Sequence, residues 1–369
     1  MPTRFASGAA VLKPRTAVQT LPDYHPPLGG RIGLRCDFNE NTIGCSPRVL
    51  AKLRSLSPED LARYPEREPV EGAVAEHFQL QPSELLLTNG VDDAIHLLCE
   101  TFLEPDHQVL IPAPTFAMYE IFAAATGASV VSISTDAEFS FPLERLLLQL
   151  TARTRLIAIA NPNNPTGAVA APEELLAIAE AAPHAALLVD EAYYDFYGST
   201  LFHAWNDYPN LFVARTFSKA YGLAGLRAGI LTGAPEALAS VRRVASPYSV
   251  NSVALACLPE AVADRFFVEN YASEICAQRE RLQMQLATWG VRFWPSQANF
   301  VLFEVGEKHA RFVDAMRARG ILVRDRSRDP GCGGCVRVTL GLRPQTDLLL
   351  AAMTEVFAEL QLISRERAQ

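Results

Sequence analysis

The chain has 369 residues, a formal charge of −8 and 49% hydrophobic residues, which suits two domains, or one large domain with a smaller companion, and a sizeable core. The acidic balance argues against a nucleic-acid surface, which would carry a basic stripe, and no apolar run approaches the roughly 20 residues of a membrane span. The N-terminal MPTRFASGAAVLKPRT lacks the uninterrupted apolar core of a signal peptide, so the expected location is the cytoplasm.

Residues up to about Arg31 are rich in proline and glycine and keep no periodicity, so they read as an arm. RCDFNEN at 35–41 follows, where Asn39 and Asn41 can bond their own backbone in turns. Ser46-Pro47 opens a helix, serine as N-cap and proline in the first turn. A short apolar strand at 85–88 runs into Asn89-Gly90 and then an amphipathic helix carrying Ala94, Ile95, Leu97 and Leu98. A glycine turn entering a helix N-terminus is an anion site, because the first backbone N–H groups lack intrahelical acceptors; Val91 and Asp92 supply them here. Strands recur at 108–112, 129–134, 155–160, 185–189 and 211–214. Their alternation with helical stretches predicts a mostly parallel sheet covered on both faces, with ligands beyond the strand carboxyl ends. Beyond Gly233 the sheet ends, and from about Ala261 a long charged helix leads into a second domain holding ANFVLF at 298–303 and VRVTL at 336–340. The expected division is an arm over 1–45, a large domain over 46–260 and a smaller α+β domain over 261–369.

The stretch RTFSKAYGLAGLRAG at 215–229 follows a buried strand. A lysine at such a strand end, among hydroxyls and glycines, is suited to covalent chemistry: partial desolvation makes Lys219 a nucleophile and Schiff-base partner. Thr216, Ser218 and Arg227 can hold a phosphate from three sides, while Gly222 and Gly225 permit close backbone approach. Asp190 ends the apolar strand AALLV, and a carboxylate buried there needs a partner. In VRVTL, Val336, Val338 and Leu340 share one face and Arg337 the other, where its guanidinium can meet a carboxylate as a fork. The seven cysteines are odd in number and irregularly spaced, which fits free thiols in a reducing compartment. Cys332-Gly-Gly-Cys335 is a lone C-x-x-C without the second pair or nearby histidines that zinc would want.

NPNNPTG at 161–167, VDEAYYDF at 189–196 and TFSKAYGLAGLRAG at 216–229 together resemble the fold-type I pyridoxal-phosphate (PLP) aminotransferases. FNEN, RYPE, TNGVDDAI, PTFAMY, ANFVLF, GILVRDRS and VRVTLG extend the likeness over nearly the whole chain, toward the histidinol-phosphate aminotransferase family. The resemblance implies the PLP-dependent transferase fold and assigns roles. Lys219 carries the cofactor covalently and shuttles the substrate proton. Asp190 pairs with the pyridine nitrogen, keeping the ring an electron sink. Asn164 and Tyr193 bond its phenolic oxygen, and Phe116 stacks on its face, where the family often has tyrosine. Thr216, Ser218, Arg227, Val91 and Asp92 hold its phosphate. Tyr64 of RYPE reaches that phosphate across a homodimer interface, so the two active sites share residues. Arg337 takes the substrate α-carboxylate, Arg324 the substrate phosphate, and Tyr24 helps to enclose the substrate.

The implied reaction is transamination between L-histidinol phosphate and 2-oxoglutarate. Threonine after NEN, Phe116 and the loose PDYHPPLGGR context of Tyr24 depart from the family pattern. They leave open an aromatic amino-acid aminotransferase or a PLP-dependent decarboxylase of a phosphorylated amino acid. A non-catalytic PLP-binding regulator would want a DNA-binding domain, and no such segment is evident.

Overall fold

The computed structural model describes residues 12–23 and 30–363. In chain order the strands are β1 Leu34–Arg35, β2 Leu85–Thr88, β3 Gln108–Ala113, β4 Ser129–Ser134, β5 Thr154–Ala160, β6 Ala186–Asp190, β7 Leu211–Thr216, β8 Gly229–Gly233, β9 Phe293–Trp294, β10 Phe300–Glu304, β11 Ile321–Leu322, β12 Arg324–Asp325 and β13 Cys335–Thr339.

Strands β2 to β8 form a seven-stranded sheet in the order β2-β8-β7-β6-β5-β3-β4. All neighbours are parallel except at β8, which runs antiparallel to both β7 and β2. Side-chain alternation splits the apolar runs between two cores. Leu187, Val189, Leu211 and Val213 join the core on one face; Leu188, Phe212 and Ala214 join the other. The helices Val91–Phe102 and Met118–Thr126 cover the second face through Ala94, Ile95, Leu98, Tyr119 and Ala123. The helix Pro172–Ala181 covers the first through Leu175, Ile178 and Ala179. With helices on both faces the strands read as continuous apolar runs, as expected for a mostly parallel sheet.

The long helix expected from about Ala261 runs over Arg265–Trp289, and Ala261 itself lies at the end of the preceding helix. Ser252–Ala263 ends at Asp264, whose carboxylate caps Arg265–Trp289 by accepting from the Phe267 N–H at 3.3 Å. The second helix leads to an antiparallel sheet, β12-β13-β10-β9, whose core carries Phe300, Val301, Phe303, Val336 and Val338. Residues 34–41 are bound to this C-terminal unit. β1 pairs with β11 in parallel, the Cys36 N–H donates to Leu322 at 2.9 Å, and the Thr339 N–H donates to the Cys36 carbonyl at 2.9 Å. The end of the expected arm thus runs between the small sheet and the carboxyl ends of the large one.

Candidate active site

The carboxyl ends of β5, β6 and β7 and the turn after β2 surround one cavity, and residues of five sequence motifs meet there. Asp190, the last residue of β6, forms its floor. It is 5% exposed, and burial pushes its carboxyl up to about 6, against two bonds that stabilise the charged form. Tyr119 Oη donates to Oδ2 at 2.5 Å and the Ala192 N–H donates to Oδ1 at 2.9 Å. Burial and Asp190 together raise the Tyr119 phenol well above its ordinary value, so it stays a donor. A carboxylate held this way lines the cavity and has no cation among the described residues.

Lys219 lines the same cavity. Its Nζ donates to the Phe38 carbonyl at 3.2 Å and lies 5.7 Å from the centre of the Tyr193 ring. Tyr193 is buried edge-on against Phe300, and its hydroxyl accepts from Asn39 Nδ2 at 2.9 Å. Asn39 has a left-handed backbone with φ 56°, a conformation that asparagine tolerates better than most residues. Its N–H donates to Thr339 Oγ1 at 3.0 Å, and its carbonyl accepts from Asn299 Nδ2 at 3.2 Å. The strip 37–41 therefore pins Tyr193 and Lys219 to the small sheet.

At the far end, Gly90 has φ +80°, and a Cβ there would lie 2.9 Å from Arg227 Nη2. Only glycine lets the guanidinium sit against the N-terminus of the helix Val91–Phe102. Arg227 Nη2 donates to Asp92 Oδ2 at 3.0 Å, and the Ser218 N–H donates to Thr216 Oγ1 at 3.0 Å. Val91, Asp92, Thr216, Ser218 and Arg227 line the same end of the cavity. Phe116 lines its side, edge-on to Tyr119 at 5.9 Å between ring centres.

Asn164 also lines the cavity, and its Oδ1 accepts from Arg337 Nη1. Arg337 Nη2 donates to the Asp37 carbonyl at 2.7 Å. The alternation read from VRVTL holds, with Arg337 on the face opposite Val336 and Val338. That face is buried too, because the 37–39 strip and Phe300 cover it; Arg337 is 4% exposed. Burial, joined by the like charges of Arg326 and Arg324, lowers its pKa to about 9. Arg324 lies in the adjoining cleft with its guanidinium 5.2 Å from the Phe38 ring centre, opposite Arg337 in the β12–β13 register.

Tyr64 is not in this cavity. It is 78% exposed, with its ring 4.4 Å from that of Tyr248 on the surface. Tyr24 lies outside the described residues. Cys332 and Cys335 are free, buried thiols. The sequence assigned no role to Tyr119 or Asp37, and gave Asn39 a turn bond to its own backbone or, by resemblance, a place at the edge of the active site. The available signal for Tyr119 was its position three residues after Phe116 at a helix start, which puts both rings on one side. For Asn39 and Asp37 no local signal exists, since their partners lie about 150 and 300 residues away in sequence.

The donor set fits PLP. A buried carboxylate without a cation suits a pyridinium, a phenol and an amide flank the lysine, and a glycine-lined helix N-terminus with an arginine suits a phosphate dianion. When bound, that group supplies the electron sink for breaking bonds at the amino-bearing carbon. Lys219 Nζ would carry it and move the proton, Asp190 hold its ring nitrogen, and Tyr193 and Asn164 its phenolic oxygen.

Comparison with known proteins agrees. The family model of aminotransferase class I and II matches residues 34–352. A histidinol-phosphate aminotransferase of Symbiobacterium thermophilum is 34% identical over 359 residues, covering 94% of this chain and 97% of its own. The crystal structure of the Sinorhizobium meliloti histidinol-phosphate aminotransferase in complex with pyridoxal-5'-phosphate superposes with a TM-score of 0.85 at 27% identity, covering 95% of this chain and 99% of that one. The L-threonine-O-3-phosphate decarboxylase of Porphyromonas gingivalis, at 21% identity and a TM-score of 0.75 over 88% of this chain and 99% of its own, shares the fold. Matched over most of its length, with Lys219 and the buried Asp190 lining one cavity, the chain belongs to the PLP-dependent class I and II aminotransferases, among the relatives named histidinol-phosphate aminotransferases.

Proposed function

We propose that this enzyme transfers the amino group of L-histidinol phosphate to 2-oxoglutarate, as a cytoplasmic homodimer with shared active sites. The observation that carries the substrate reading is the wall formed by Arg337 and Arg324. Arg337 reaches the Lys219 cavity through Asn164, and Arg324 faces it across the strand pair. Histidinol phosphate has no α-carboxylate, so its phosphate is the only anion an arginine wall can grip. Glutamate, formed in the other half of the cycle, presents two carboxylates. Guanidinium forks match both chemistries, which one exchange site must accept in turn.

In this reading Arg324 takes the donor's phosphate and Arg337 the α-carboxylate of the keto acid, so that the amino-bearing carbon meets Lys219 Nζ, which takes its proton and returns it. The strip 37–41 excludes water from that side. The dimer reading draws support from the exposed rings of Tyr64 and Tyr248, which lie 4.4 Å apart on a surface suited to being covered by a second copy. The division into an arm over 1–45, a large domain over 46–260 and a small domain over 261–369 completes it, with residues 34–41 serving the small domain.

The test is a kinetic comparison of histidinol phosphate, phenylalanine and O-phosphothreonine with 2-oxoglutarate. The expected result is preferred turnover of histidinol phosphate with stoichiometric glutamate. Preference for phenylalanine would move the assignment to the aromatic enzymes, and carbon dioxide release without glutamate to the decarboxylases.

A further inference from the structure

Three guanidiniums share one face of the small sheet. Arg324 and Arg337 are cross-strand partners, so their side chains leave the sheet on the same side. Arg326 lies two residues further on and is still bonded to β13 through its N–H to the Cys335 carbonyl at 3.0 Å; the strand period returns it to that side. Arg324 and Arg326 line the cleft with Asp37, Phe116 and Asp329. Arg337 joins this cleft to the Lys219 cavity through its bonds to Asp37 and Asn164.

The charge on this face is incompletely matched. Arg326 contacts Asp329 in an ion pair largely withdrawn from solvent, at 15% and 25% exposure. Among the described residues, the buried Nε atoms of both Arg326 and Arg337 find no hydrogen-bond partner, a costly state for a charged donor. Burial raises the pKa of Asp329, and the neighbouring arginines only partly offset this. The turn carrying Asp329 is fixed from beneath. Its backbone bonds run Asp329 to Arg326, Cys332 to Asp329 and Cys335 to Cys332 at 2.9–3.0 Å, and both thiols pack with Phe139, Trp294 and Leu302. The C-x-x-C pair thus anchors the turn that presents Asp329.

We propose that Arg326 is a specificity-determining residue of the substrate pocket: Asp329 holds it in the free enzyme, and a phosphate ester on the amino donor takes it over as a second fork beside Arg324. Charge decides for phosphate over carboxylate. Asp329 already supplies one negative charge and one carboxylate, so a substrate carboxylate gains little by displacing it. A phosphate monoester brings close to two charges and three acceptor oxygens, enough for two forks. The inference rests on the reading of the donor as a phosphate ester.

Calorimetric titration of inorganic phosphate into the PLP-loaded enzyme tests it, because the bound cofactor then fills its own phosphate site. Arg326→Gln is expected to weaken phosphate binding about tenfold or more, with Arg326→Lys between it and the wild type. Asp329→Asn, which frees Arg326, is expected to tighten binding. Undetectable phosphate binding by the wild type would overturn the proposal. So would R326Q within twofold of wild type, or D329N weakening phosphate as R326Q does, which would mark the pair as a brace. Wild-type turnover of histidinol phosphate separates this from the donor assignment. If turnover is absent while phosphate affinity still depends on Arg326, the donor falls and Arg326 stands. If turnover is present and affinity is indifferent to Arg326, the reverse holds.

Discussion

The floor of the cavity and its arginine wall are built on opposite terms. On the floor, protein groups already orient the chemistry: Asp190 accepts from Tyr119 and Ala192, and Tyr193 accepts from Asn39. In the wall, Arg337 and Arg326 keep buried donors without partners, and like charges crowd one face. In the proposed reading the floor meets a resident group and can be complete beforehand, whereas the wall would meet anions that come and go twice in each cycle, so part of its bonding is left for them. Preorganisation favours rate in the first case and exchange in the second.

The sharpest break between the two should come from Lys219→Ala. It is expected to lower transamination by more than about a thousandfold, the scale of a lost acid–base group. It should leave the affinity of the loaded enzyme for inorganic phosphate within about twofold of wild type as an expectation from distance alone. Rapid-quench kinetics and calorimetry on the same preparation read both. A parallel loss of phosphate affinity would mean that floor and wall are one coupled unit.

Within the wall, Arg337→Lys keeps the charge and loses the fork, and should slow every substrate by about ten- to a hundredfold. Arg324→Gln should lower kcat/KM for histidinol phosphate by about tenfold and spare phenylalanine. Steady-state kinetics with both donors decide; equal losses would remove the phosphate role of Arg324.

The floor predicts a pH effect. In the apo-protein, burial lifts the Asp190 carboxyl from 3.8 to about 6, so the folded state binds the proton more tightly than the unfolded chain. Its contribution to stability is present below pH 3.8 and is lost as pH rises through about 6. Thermal melts of the apo-protein should show this loss, Asp190→Asn should lack it, and PLP should suppress it by supplying a cation. An Asn variant with an unchanged pH profile would assign the effect to other groups.

The smallest effect concerns Tyr64, which in the proposed homodimer would enter the site of the second copy. Tyr64→Phe should cost only a few-fold, one hydrogen bond to a charged group. Mixed with Lys219→Ala subunits, it should form heterodimers in which one site regains both native residues. Activity above the sum of the parents is the expected reading, and additive activity would confine each site to a single chain.

Much of this was legible in the chain. The strand from Leu211 to Thr216, the glycine turn at Gly90 and the strand-end Asp190 carry their structure locally, in runs of apolar residues, turn residues and helix starts. Arg337 was assigned its face by the period of two, but the cover on that face was not readable. Asp37 and Asn39 reach their partners about 300 residues away. Arg326 gave no signal at all: beside Asp325 and Asp329 it reads as an ordinary surface charge.

The sequence by itself determined six of the seven strands of the large sheet, all but Gly229–Gly233, where the sheet's carboxyl ends fall, and which residue types stand there, because hydrophobic period and turn chemistry act over a few neighbours. Only the tertiary structure decided that the Tyr119 hydroxyl would meet Asp190, that the carbonyl of Phe38 would meet Lys219, and that Arg324, Arg326 and the buried Arg337 would share one face of the small sheet. Those contacts depend on how two sheets and the strip between them pack, and the packing of distant elements is set by the shape of whole surfaces rather than by any local pattern.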